Sequence, residues 1–190
     1  MTQSLTAPAP RRLAHTRRLE IGCYRREDGL WDIEGRLVDV RPTPYALLDR
    51  PRAAGEPMHD MWLRLTVDTD GVVRRAEAVM PAGAYRHCHL VTPNYARVEG
   101  LSIGRGWNRA VREAVGGTAG CTHLRSLLAQ MASAAHQAVW DEQFERLRGG
   151  DQDPGRQTID TCYAYRSDGP LVAERYPDRY TGGVKTDAVE

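Results

Sequence analysis

The sequence predicts an α+β fold in which an antiparallel β-sheet built of hairpins packs against one long helix in the C-terminal half, with shorter helices beside it. Two stretches of alternating apolar and polar residues, each folded back at an Asp-Gly pair, predict the hairpins. A long stripe of apolar residues at three- and four-residue steps predicts the helix. At 190 residues, 41% hydrophobic and 27% charged, the chain has the size and composition of a globular domain that needs no staples.

Residues 1–17 read as a disordered tail, Ala-, Pro-, Ser- and Thr-rich and then basic. From Arg18 to about Tyr180 the pattern predicts one domain, and 181–190 a second tail. RLEIGCYRRED and LWDIEGRLVDV flank Asp28-Gly29. In the second of these, Trp31, Ile33, Gly35 and Leu37 alternate with Asp32, Glu34 and Arg36, the period of a half-buried strand. A proline-punctuated loop follows. Met61, Leu63, Leu65 and Val67 then alternate with Trp62, Arg64 and Thr66, and Asp70-Gly71 turns the chain into GVVRRAEAVM.

After Pro81 the pattern changes. Thr92-Pro93 reads as an N-cap and first helical residue for a short helix stopped by Gly100. GWNRAVREAV reads as a second helix, bounded by Gly104 or Gly106 and by Gly116-Gly117. Leu124, Leu127, Leu128, Met131 and Ala135 mark the long helix from about Thr122 to Arg148, with Gly149-Gly150 as its stop. Gln157 to Tyr165 alternates once more, and with Leu171 to Arg175 it predicts a final hairpin.

Charge and cysteine usage narrow the function. Twenty-six basic residues against 25 acidic give a formal charge of +1, which offers no general attraction to nucleic acid or to an anionic membrane. Lys185 is the only lysine, so the arginines read first as codon bias. The opening residues contain no apolar signal segment, and no apolar run approaches a membrane span, which predicts a cytoplasmic, bacterial protein. The four cysteines, at 23, 88, 121 and 162, include no CxxC pair. Cys23 and Cys162 fall in alternating segments and read as small core residues.

Three short stretches carry metal-capable side chains at turns. In GGTAGCTHL a glycine-rich loop feeds the long helix and sets Cys121 and His123 at its N-terminus, where the helix dipole favours a thiolate. The structural alternative is a tight loop with a buried cysteine and a capping histidine. His87-Cys88-His89, read as extended chain, turns either Cys88 or the histidine pair inward, and Cys88 has the better case. His59-Asp60 opens a core strand, and by alternation one of the two faces inward. Thiolate and imidazole are ligands suited to zinc or iron.

HDMWLRLTVDTDGVV, LSIGRGW and especially GGTAGCTHLRSLL, with the early GCYRREDGLWDIEGRLVD and the late IDTCYAYRSDGPLV, resemble a bacterial domain-of-unknown-function family, number 2889, over Leu19 to Tyr180. The order of an acid at a strand start, a hairpin, a cysteine, a short helix and a Cys/His pair opening a long helix is also similar to U-type iron–sulfur cluster scaffolds. That resemblance implies His59 or Asp60 near the first ligand position, Cys88 at the second, and Cys121 with His123 at the closing pair. The chain lacks the first cysteine and closes on Cys-x-His, so the resemblance implies a metal pocket more than cluster assembly.

The expected function is therefore metal binding, zinc or iron and less readily an iron–sulfur cluster, by Cys88, Cys121, His123 and His59 or Asp60. A metal- or thiol-dependent enzyme acting on a small organic acid or thioester is the first alternative, and a binding or assembly protein without a site is the second. The sequence leaves a small-molecule substrate or a protein partner open, and with them the oligomeric state.

Overall fold

The computed structural model describes residues 5–47, 50–147 and 153–182. The chain divides into two compact units, Met1–Ala138 and Val139–Glu190. The expected helix stop at Gly149-Gly150 and residues 183–190 of the expected tail lie outside the described residues.

The first unit is built on a four-stranded antiparallel sheet. Strand Thr16–Arg25 (β1) pairs along its whole length with Trp31–Val40 (β2). A two-residue ladder, Tyr45–Ala46 (β3) with Pro51–Arg52 (β4), decorates the loop that follows. Strand His59–Val67 (β5) pairs with β2 on one side and with Val73–Ala82 (β6) on the other, so the order is β1-β2-β5-β6. Both predicted turns form. Gly29 and Gly71 take φ of 83° and 76°, a left-handed backbone that favours glycine. Beside them Asp28 accepts the Leu30 N–H, and Asp68 accepts those of Asp70 and Val72.

One face of the sheet is buried. Ile33 and Leu37 of β2 and Met61, Leu63 and Leu65 of β5 meet Leu124, Leu127, Leu128 and Met131 of helix Thr122–Leu147 (α2 below). A Cβ on Gly35 would stand 2.7 Å from Met131 Sδ and 3.1 Å from Leu127 Cδ1. The bare glycine thus lets the helix settle closely onto β2. Tyr95 and Val98, from a 3₁₀ segment Cys88–Val98, and Trp107, Val111 and Val115, from helix Trp107–Val115 (α1), complete this core. The other face is polar, laced by the pairs Arg36–Asp60 and Arg64–Glu34. Among the described residues no helix is long and apolar enough to cross a membrane.

The structure departs from the sequence expectation in three places. β1 starts at Thr16, inside the expected tail, because Thr16 and Arg17 pair with Val40 and Asp39. His87-Cys88-His89 is not extended. Turns that bond Cys88 N–H to Tyr85 O and Leu90 N–H to His87 O begin the 3₁₀ segment there. Thr92 is therefore not an N-cap but lies within the segment, its hydroxyl donating to His89 O.

The third departure is the C-terminal hairpin, which is absent among the described residues of the second unit. Helices Pro154–Gln157 (α3) and Pro170–Arg175 (α4) stand there instead, the latter with proline in its first turn. Between them Thr158 and Thr161 turn their hydroxyls onto the carbonyls three residues back. Such local bonds compete with a strand ladder. Cys162 sits exposed in this turn, whereas Cys23 is half-buried against the first unit's core, and burial pushes its thiol pKa up.

Candidate metal centre

The register of the sheet sets three polar residues in one row. Arg17 lies opposite Asp39, and Asp39 opposite His59. Asp39 is in phase with Ile33, Gly35 and Leu37, and His59 with Met61, Leu63 and Leu65, so both side chains turn to the core face. Their relative exposures are 1% and 5%. Asp60 is in the opposite phase. It lies on the polar face, gripped by Arg36 Nε at 2.9 Å and Nη2 at 2.8 Å.

The start of α2 brings the third member. A Cβ on Gly116 would stand 2.1 Å from Arg112 O, and one on Gly120 would stand 2.0 Å from Val115 O. Only glycine lets this loop fold so tightly onto the end of α1. The fully buried Tyr95 then clamps the loop's end, its hydroxyl accepting from Cys121 N–H at 3.0 Å and donating to Cys121 O at 3.1 Å. Burial is the main cause that pushes this phenol up to about 12. Asn94 fixes Ala119 O at 2.9 Å. Held this way, α2 presents His123 over His59, with ring centroids 4.0 Å apart and planes tilted by 37°.

Asp39, His59 and His123 each offer a donor atom within 4.8 Å of the other two. Around Asp39 the hydrogen bonds are dense. Arg17 donates from Nε to Oδ1 at 2.8 Å and from Nη2 to Oδ2 at 2.7 Å. His59 Nδ1 lies 2.7 Å from Oδ2, and His15 Nε2 lies 3.2 Å from Oδ1. Burial acts to raise the Asp39 pKa, but the hydrogen bonds and charges of Arg17 and His59 outweigh it and hold the carboxyl down at about 2. An ionised carboxylate only accepts, so His59 Nδ1 carries a proton, and the Nε2 lone pair of a neutral His59 is left for another partner. His123 is pushed below the ordinary histidine range by burial first, then by repulsion from His59 and Arg17, against a smaller opposing pull from Asp39. It is therefore neutral near pH 7, the form that ligates a metal.

The other expected site residues fall as follows. Cys121 is half-buried, and its Sγ lies 3.8 Å from His123 Nδ1. It borders the cluster through His123 without entering the mutual group of three. Cys88 packs beneath the Gly83 backbone and joins no group of three donors among the described residues. The structure thus assembles two imidazoles and a carboxylate where two sulfurs, an imidazole and one further ligand were expected. Asp39, Arg17 and His15 are additions. The phase of β2 points Asp39 inward and so marks it in the sequence. Arg17 and His15 carry no such mark, because the register of β1 is what places them.

Fold and site together define a class, an α+β domain that buries a carboxylate and one imidazole against a second, half-buried imidazole at the mouth of its long helix. The chain belongs to the DUF2889 family, described as a protein of unknown function, whose match covers residues 15–137. That span contains every residue of the cluster and ends beside the boundary of the first compact unit, short of Tyr180, where the sequence resemblance ends. No curated protein and no solved structure matches the chain, so the likeness to iron–sulfur scaffolds gains no support.

Proposed function

We propose that the protein binds one transition-metal ion, zinc or iron, between the imidazoles of His59 and His123. Asp39 holds His59 from behind through Nδ1, the arrangement by which carboxylates orient ligating histidines. Cys121 is the soft donor nearest the pair. The observation that carries this reading is the cluster of the buried Asp39 and His59 with the half-buried His123, their donor atoms within 4.8 Å. The ligating nitrogens of two imidazoles on a tetrahedral ion stand about 3.4 Å apart for bonds of roughly 2.0–2.1 Å, a spacing compatible with donor atoms that lie within 4.8 Å of one another.

Metal content by elemental analysis, and zinc titration by calorimetry, test it on protein freed of any affinity tag. The expected result is one equivalent in the wild type and a loss in both His59→Ala and His123→Ala. A wild type that takes up no metal, or variants that bind as well as the wild type, would overturn it.

The Cys121 Sγ to His123 Nδ1 distance of 3.8 Å favours one second reading, thiol catalysis with His123 as the base. It predicts that iodoacetamide alkylates Cys121 much faster than Cys88, and more slowly after His123→Ala. Equal rates at the two cysteines would remove it.

A further inference from the structure

We infer that the outer edge of β1 pairs antiparallel with β1 of a second copy of this chain, joining the two sheets about a twofold axis. β1 is ten residues long and stands at one end of the order β1-β2-β5-β6, so no strand pairs with its outer side among the described residues. Such an edge leaves alternate main-chain N–H and C=O groups open to a further strand.

The two edges of the sheet are treated differently. β6 is blunted. Val73 exchanges main-chain hydrogen bonds with Gly100 and Leu101, the Glu99 carboxylate takes the Ala76 N–H at 3.0 Å, register shifts interrupt its pairing with β5, and Pro81 stands near its end. Proline, bulges and covering segments are devices that keep an edge single. β1 has none of them. It contains no proline, and it pairs with β2 in unbroken register from Thr16 to Arg25. An inward charge can also guard an edge, but Arg17 is spent on Asp39.

The side chains of β1 select its own copy as the partner. Arg18 and Glu20 share the polar face, both exposed, and neither has a hydrogen-bond or ion-pair partner among the described residues. Arg36, opposite Glu20 on β2, is held by Asp60. A twofold axis perpendicular to the sheet keeps like faces together. Centred on Leu19, the pairing sets Arg18 opposite Glu20 of the second copy, and symmetry makes this pair twice. Leu19, 45% exposed on the other face, meets its own copy. Centred on Glu20 the pairing would oppose two carboxylates, and centred on Arg18 two guanidinium groups. Opposite charges directly across a strand pair stabilise it and like charges destabilise it, so the Leu19 register wins over its neighbours. A strand that carries its own complement suits the self-matching interface of a twofold dimer. The inference does not rest on the metal reading.

Sedimentation equilibrium of the full chain tests it, with circular dichroism to show that each variant is folded. The wild type should give a reversible monomer–dimer equilibrium. Arg18→Glu and Glu20→Arg, both at exposed positions, should each raise the dimer dissociation constant by about tenfold or more, since either reversal turns the attractive pairs repulsive. Arg18→Glu combined with Glu20→Arg exchanges the charges and should return the constant to within about threefold of the wild type. A wild type that stays monomeric up to about 1 mM, where even a weak dimer would populate, overturns the inference. So do single variants that dimerise as well as the wild type, which would place the interface elsewhere, and a combined variant no better than the single ones.

Discussion

Asp39 and His59 stand directly opposite one another on β2 and β5, and the Asp39 Oδ2 to His59 Nδ1 distance is 2.7 Å. A sheet pair that would ordinarily place two apolar side chains against the helix instead buries a carboxylate and an imidazole. Arg17, from the next strand, balances their charge.

Asp39→Asn tests that relationship. The amide keeps the shape but removes the charge that faces Arg17 and orients His59. We expect a loss of about 1–3 kcal/mol in stability by urea denaturation, below the cost for a fully buried pair because Arg17 is partly exposed. Zinc affinity should fall by about 10- to 100-fold, as it does when an orienting carboxylate is lost. Unchanged affinity would remove Asp39 from the site.

His59 and Asp60, neighbours in sequence, should separate in function. His59→Ala abolishes metal uptake. Asp60→Ala leaves it intact and costs less than about 1 kcal/mol, since the Asp60–Arg36 pair lies on the polar face with its guanidinium open to water. In the wild type, uptake should decline on acidification as protons compete for imidazole nitrogen, and burial of His123 moves its share of that competition below the ordinary histidine range. Metal lost from the Asp60 variant and retained by the His59 variant would invert the assignment of faces.

Tyr95 gives the protein an alkaline weakness. Its phenol titrates near 10 when unfolded and at about 12 in the fold, with burial as the first cause. A raised value means that the contribution to stability is complete below pH 10 and is lost as the pH climbs through 12. The stability difference between wild type and Tyr95→Phe should therefore shrink by about 2–3 kcal/mol across that window. Parallel curves for the two proteins would show that folding does not raise the pKa of this phenol.

Gly35→Val probes how closely α2 sits. The added side chain would meet Met131 and Leu127, and overpacking of this kind costs about 1–3 kcal/mol. The same displacement carries His123 away from His59, so zinc affinity should fall together with the melting temperature. A variant that melts lower yet binds zinc normally would separate helix seating from the site.

Much of the fold is legible because its signals are local. The two Asp-Gly turns, the alternation in β2 and β5, and the apolar stripe from Leu124 to Ala135 each depend on a few neighbouring residues and a fixed period. The same alternation turns one of His59 and Asp60 inward, and the register and burial of β5 show that it is His59. It fails from Gln157 to Tyr165, where a short run of alternation is weaker than the threonine hydroxyls that curl the chain. It also fails at His87 to His89, where successive three-residue turns win.

The sequence alone carries the sheet hairpins, the long helix, the presence of His123 and Cys121 at the helix mouth, and the fact that one of His59 and Asp60 turns inward. Only the tertiary structure decided which of these donors meet. The row of Arg17, Asp39 and His59 comes from strand register, and the stacking of His123 on His59 comes from how α2 seats on Gly35 under the Tyr95 clamp. Register and helix seating are set by packing between segments distant in the chain, which no local period encodes.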